Sequence, residues 1–264
     1  MRRLAAAFRR KLATALRQAW QLTRTEQQLR RQIFRDIYKN KLWGGEAQSK
    51  YFSGWGSRGD AAKIYIERIP EILRHHAVEL GRPARVIDLG CGDFTVGRAL
   101  VAALPDMVYV GCDIVPELIA HNIKSYADER VSFRQLDIVS DPLPAGDVCL
   151  VRQVLQHLSN AEIMRFLQRV SYKYIYVTEG QPDEATGPFN PDKTTDSDVR
   201  FDWRTPGGRG VELNAPPYCL TTQEIFRVSV PPYGMIITWR VFPDFAVKNC
   251  TNRRRDDLHG RPEP

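Results

Sequence analysis

The chain has 264 residues, 43% of them hydrophobic, enough for one large domain or two small ones around a real core. No run approaches the roughly 18 to 20 uninterrupted apolar residues that a membrane-spanning helix needs, so a soluble body is expected. The formal charge of +7 is uneven: residues 1–42 hold 12 Lys and Arg against Glu26 and Asp36, which is +10, so the remainder carries −3 and gives little reason to expect nucleic acid as its partner.

The five cysteines (Cys91, Cys112, Cys149, Cys219 and Cys250) form no CxxC pair and no cluster with histidine at zinc spacing. They read as reduced thiols in a cytoplasmic protein, and no metal site is expected.

The first segment, "MRRLAAAFRRKLATALRQAWQLTRTEQQLRRQIF", places Leu4, Phe8, Leu12, Ala15, Leu16 and Ala19 at helical steps, with arginine over much of the remaining surface. Three readings stay open: a helix packing on the body or on a second copy of the chain, a helix lying on an anionic membrane surface, and an organellar targeting peptide. Membrane-surface contact or self-association is therefore assigned to residues 1–35, the former placing the protein peripherally on the inner membrane face. The next stretch, Tyr38 to Asp60, is rich in glycine and aromatic residues and reads as a loop or several turns. Residues 61–80 return to a helical pattern interrupted by Pro70.

After "GRPA" the period changes. Strands are expected at "RVIDLG", "VYVGCDI", "VSFRQLDI", "DVCLVRQ" and "KYIYVTE", with helices at 95–104, from Pro116, and at "NAEIMRFLQRVS". Strands alternating with helices predict a doubly wound, mostly parallel α/β sheet covered on both faces. "IFRVSV" and "MIITWRVF", joined by Pro-Pro-Tyr-Gly, predict an antiparallel hairpin at one edge and bring the strand count to seven. The organisation expected is a basic helical extension (1–42), a covering loop and helix (43–83), an α/β domain (84–245) whose long polar loop at 181–220 is a lid or acceptor loop, and a tail (246–264).

In such a sheet a ligand binds beyond the carboxyl ends of the strands, where strand order reverses. "VIDLGCGDFTVGRAL" supplies the expected turn, with Gly90 and Gly92 free to bring a ligand close to the backbone and Asp88 closing the strand. A dinucleotide fingerprint would need G-x-G-x-x-G, but the glycines fall at 90, 92 and 97, and Asp93 sits where pyrophosphate would approach. Both features argue against an NAD-dependent oxidoreductase, and the acid suits a ligand with a cationic end. Asp113, 21 residues after Gly92, is placed to accept a ribose, and Asp137 an amino group on a base, with Ile114 and Ile138 as apolar walls. Each acid alone also reads as a helix cap or turn residue. Together they describe a nucleoside without phosphates.

These residues resemble the class I S-adenosylmethionine-dependent methyltransferases over about Ala84 to Phe242. "VIDLGCGDF" is similar to the family's glycine motif, "GCDI" to its ribose-acid motif, "LDI" to its adenine motif and "DVCLVRQVLQHLS" to its fourth-strand motif. The segments "IYKNKLWGGEAQSKYFSGWGSRG" and "DWRTPGGRGVELNAPPY" also resemble parts of bacterial methyltransferases of surface-glycan and secondary-metabolite clusters. The resemblance implies S-adenosyl-L-methionine as cofactor, a Rossmann-like sheet with a reversed last strand, and Trp43, Gly54, Gly56 and Ser57 as cofactor contacts. It implies methylation of a small molecule or glycan, at oxygen, and the alternative is a non-catalytic cofactor-binding module docking through its N-terminal helix. Arg152 and Gln153, closing the fourth strand, are expected near the methionine portion. His157 follows that strand and is a candidate base, although a histidine that merely packs at a helix start would look the same. Glu179, ending the fifth strand, is a second candidate base, and Asp198, Arg200, Trp203 and Arg204 in the long loop are candidate acceptor contacts.

Overall fold

A computed structural model describes residues 25–45, 50–200, 208–231 and 234–242. The candidate acceptor residues Trp203 and Arg204 lie outside the described residues, as does most of the acid-free basic segment.

The first described helix, α1 (Glu26–Lys39), starts with a capping box in which Thr25 and Gln28 satisfy each other's backbone N–H groups. Its inner face carries Arg30, Phe34, Ile37 and Tyr38 at helical spacing and packs on the body. Arg30 is 3% exposed; its Nη2 and Nε donate to Asp137 Oδ2 at 2.8 and 3.1 Å, and Nη1 donates to Glu162 Oε1 at 3.0 Å. An arginine expected on the solvated face is thus the polar anchor of the helix.

The helix α2 (Gly59–Leu80) runs unbroken through Pro70, because Tyr65, Ile69, Pro70 and Leu73 are all buried against the sheet, and it ends at Gly81 in the left-handed conformation. The α/β body follows as β1 (Arg85–Leu89), α3 (Thr95–Ala103), β2 (Val108–Asp113), α4 (Pro116–Tyr126), β3 (Val131–Gln135), β4 (Val148–Arg152), α5 (Asn160–Leu167), β5 (Tyr174–Gln181), β6 (Thr221–Ser229) and β7 (Met235–Phe242). The seven strands are ordered β3-β2-β1-β4-β5-β7-β6. The first five are parallel, whereas β7 runs antiparallel to β5 and the β6–β7 hairpin closes the edge, as its short turn requires.

Alternate residues of the central strands face opposite layers. Ile87, Leu89, Cys149 and Val151 pack with Ile163 and Phe166 of α5, while Val86, Val148 and Leu150 pack with Ile69 and Leu73 of α2 and Leu100 of α3. Strand order reverses between β1 and β4, so a crevice opens at their carboxyl ends. Cys91, Cys112 and Cys149 are free thiols. Cys219 is disulfide-bonded, so the expectation of reduced thiols fails at that position. Among the described residues no helix is long and apolar enough to cross a membrane.

Removing one partner from a buried ion cluster leaves the other charges uncompensated. Arg30→Ala should therefore lower unfolding free energy by about 3–5 kcal/mol, measured by urea titration. Substitution of the half-exposed Arg35, paired with Glu117 at the surface, should leave the urea midpoint nearly unchanged.

Candidate active site

A cavity of about 370 Å³, within the range that encloses small ligands, lies over the carboxyl ends of β1, β2 and β4. It gathers every residue expected at the cofactor: Trp43, Ser57, Asp88, Gly90, Gly92, Asp93, Asp113, Ile114, Asp137, Ile138, Arg152 and Gln153, together with His157. Its floor is the turn after β1. Gly90 and Gly92 have φ of +86° and +54°, and a Cβ on either would stand 2.2 Å from Val154 Cγ2 or 2.3 Å from Ser53 Oγ. Gly97 serves the fold instead, since its missing side chain lets α3 approach Tyr109 and Phe94.

The stretch after α1 covers this turn. Ser53 N–H donates to Asp93 Oδ2 at 3.0 Å, Asp93 N–H donates back to Ser53 Oγ at 2.8 Å, and the Tyr38 hydroxyl joins Ser53 Oγ at 3.0 Å. Arg58 Nη2 pairs with Asp93 Oδ2 at 2.6 Å. The acid expected to face a cationic ligand is thus already neutralised by Arg58 and serves to hold the cover.

Asp113 and Asp137 differ in what they leave free. Asp113, 8% exposed, accepts from Gly92 N–H and Val115 N–H and retains acceptor capacity toward the cavity, while burial pushes its pKa up to about 6. Asp137 accepts from Arg30 Nε and Nη2 and Ser140 Oγ at Oδ2 and from Val139 N–H at Oδ1, so Oδ2 is fully engaged while Oδ1 has one donor. The acceptor expected for an amino group of a bound base thus keeps one oxygen with room, and the other is tied up by the Arg30 contact. The sequence offered no sign of it, because Arg30 reads as one more arginine in a basic helix.

Aromatic rings close the side opposite the strands. Trp43 lies 5.0 Å from His157 between ring centroids, Phe34 meets His157 edge-on at 6.5 Å, and Tyr38 meets Trp43 edge-on at 5.4 Å. Trp43 Nε1 donates to the Ser197 carbonyl at 3.0 Å, tying the cover to the long loop. His157 is 6% exposed, and burial lowers its pKa to about 4, so the imidazole is neutral at physiological pH. Its Nδ1 has no hydrogen-bond partner among the described residues.

Arg152 donates from Nη2 to the carbonyls of Gly56 and Ala61 at 2.5 and 3.0 Å, and its guanidinium stands 5.1 Å over the Tyr65 ring. Burial lowers its pKa, and its Nε is without a partner among the described residues.

Three expected residues stand outside the cavity. Glu179, expected as a second base, is fully buried and accepts backbone N–H groups of the turn after β4. Arg200, expected as an acceptor contact, is 4% exposed and donates to the carbonyls of Pro191 and Leu158, pinning the loop. Asp198 is exposed, its N–H bonded to Asp196 and its carbonyl to Lys193, and the loop reaches the cavity through Ser197 and Val199 instead. Sequence reasoning missed Arg30, Phe34, Tyr38 and Ser53 as cavity residues. For the first three the signal was their shared helical face, and for Ser53 its place at the head of "SGWGS".

Residues 87–173 match the family model described as a methyltransferase domain. Over that stretch, a third of the chain, the sequence is similar to class I S-adenosylmethionine-dependent methyltransferase domains. Trans-aconitate 2-methyltransferase of Methylobacterium nodulans is 38% identical over 82 residues, covering 31% of this chain and 31% of that protein. Acetylserotonin O-methyltransferase of Bos taurus is 31% identical over 87 residues, covering 32% of this chain and 25% of that protein. The matched stretch thus spans about a third or less of these curated relatives. Among solved structures, the 1,6-didemethyltoxoflavin-N1-methyltransferase of Burkholderia thailandensis is 20% identical with a TM-score of 0.46, covering 80% of this chain and 86% of that one.

The buried imidazole carries a pH signature. From pH 6.5 down to about 4 the unfolded chain takes up a proton at this position that the folded His157 does not, so the protein loses stability as pH falls. Thermal unfolding of His157→Asn should show a shallower loss over that window, and the native His157 ring signals should stay unprotonated until about pH 4.

Proposed function

We propose that this protein transfers a methyl group from S-adenosylmethionine to an oxygen of a small-molecule or glycan acceptor. The observation that carries the proposal is the convergence on one cavity of the glycine turn after β1, the half-satisfied Asp113 at the end of β2, and neutral His157 after β4. The residues fit the cofactor: the Gly90–Gly92 turn lines the cavity at the end of β1, and Asp113 has acceptor sites left for paired hydroxyls. A base would lie between the apolar walls Ile114 and Ile138. Arg152 and Gln153 would border the methionine portion, under the cover formed by Trp43 and Ser57.

The bound cofactor supplies a methyl group already activated by a positive sulfur. What remains for the protein is alignment, exclusion of water and removal of a proton from an attacking hydroxyl. The aromatic wall of Phe34, Tyr38 and Trp43 excludes water. His157, neutral and lining the cavity, is the group we assign to take the proton. Two of the curated relatives support a small acceptor, one being named for trans-aconitate and the other for acetylserotonin, and the second is named as an O-methyltransferase.

Calorimetry with S-adenosylhomocysteine tests the cofactor assignment. Native protein should bind it, and Asp113→Ala should bind about 10- to 100-fold more weakly, the loss of hydrogen bonds to a charged acceptor. Because Asp113 accepts hydroxyls best when ionised, affinity should fall as pH drops through about 6, and this fall should be absent in Asp113→Asn. Absence of binding by the native protein would overturn the proposal. With an acceptor found by screening sugars and small hydroxyl compounds, His157→Ala should lower kcat by about 10² to 10⁴ while leaving S-adenosylhomocysteine affinity within a few-fold.

A further inference from the structure

The turn after β4 has an unusual debt of backbone donors. Gln153 ends the strand with φ of +54°, and a short 3-10 turn, Leu155–His157, begins after Val154 with no side-chain cap of its own. Four successive N–H groups, from 153 to 156, point away from any helix ladder. Gln153 N–H is met by the Thr178 carbonyl at 2.7 Å. The next three all go to one side chain on the neighbouring strand: Val154 and Leu155 donate to Glu179 Oε1 at 3.1 and 2.8 Å, and Gln156 donates to Glu179 Oε2 at 3.3 Å. Glu179 is 0% exposed, so water offers these amides no alternative.

The turn so held is packed into the cavity at several points. Val154 Cγ2 fills the space above Gly90, where a Cβ would come within 2.2 Å of it. The Gln153 side chain occupies the space beside Gly56 in the cover, where a Cβ would meet its Oε1 at 1.9 Å. His157 carries the ring that meets Trp43 and Phe34. A displacement of the turn would therefore shift the glycine floor, the cover and the imidazole together.

We propose that Glu179 is a positioning residue whose carboxylate, by gathering three backbone N–H groups, fixes the β4 turn and through it the ligand-facing surface of the cavity. It touches neither ligand nor reacting atoms. The ionised carboxylate is the strongest acceptor for all three amides, whereas an amide group replaces one acceptor oxygen by a donor. The charged and titratable groups facing it are Arg200 from the long loop, Arg152 from β4 and Tyr218. Burial raises its pKa to about 7, so the effect falls in an accessible pH range.

The test is an amide NMR titration of the full chain, joined to calorimetry with S-adenosylhomocysteine, the ligand taken from the proposed function. The Val154, Leu155 and Gln156 amide signals should shift together as pH passes through about 7, and the concerted shift should be lost in Glu179→Gln. Glu179→Gln should keep the fold by circular dichroism and bind S-adenosylhomocysteine about tenfold more weakly, with Glu179→Ala weaker still. Independent behaviour of the three amides, or native affinity in Glu179→Gln, would overturn the inference. If native protein fails to bind S-adenosylhomocysteine, the cofactor assignment falls, while the amide titration still decides the role of Glu179.

Discussion

The ion cluster of Arg30 with Asp137 and Glu162 is the contact on which the cavity depends. Three elements distant in the chain meet there: α1, the end of β3 and α5. Burial works against the guanidinium charge, but the hydrogen bonds to both carboxylates more than restore it, leaving its pKa raised. Glu162 is shared further, accepting from Ser159 in a capping box and from Thr195 of the long loop. Once Arg30 is seated, Phe34 and Tyr38, one and two helical turns along the same face, are carried into position as the aromatic wall.

The same economy of buried acceptors shapes the rest of the site. Asp93 anchors the cover through Ser53 and Arg58, and one oxygen of Asp137 is taken by Arg30 and Ser140. Glu179 is committed to backbone amides. Of the acids at the strand ends that face the cavity, Asp113 keeps acceptor capacity after its backbone donors, as does Asp88, which accepts from the Tyr109 hydroxyl. Carboxylates that look equivalent along the chain thus divide into structural and ligand-facing groups by the number of donors each finds when packed.

The strand and helix order was legible because buried parallel strands and amphipathic helices leave strong periodic signals, as in "VCLVR" and "AEIMRFL". The cavity location was legible for a related reason. Loops at the carboxyl ends of β1, β2 and β4 must meet wherever strand order reverses, so Gly90, Asp113 and Gln153 were brought together by topology alone. Arg30 was not legible, because a charge in a basic helix reads as solvated until a partner more than a hundred residues away is seen to neutralise it. Glu179 and Arg200 had the right chemistry and the right neighbourhood, but the direction of a side chain at a strand end or in a long loop depends on which backbone groups lack partners nearby.

The sequence by itself determined the sheet, its reversal point and the glycine and acid residues that converge there, because these follow from local periodicity and the rules of strand connection. Tertiary structure decided which of those acids is available to a ligand and which is spent on arginine or backbone N–H groups. It also decided that α1 is a wall of the cavity. Both outcomes rest on desolvation: a buried carboxylate or guanidinium must find partners, and only the packed chain shows which ones it found.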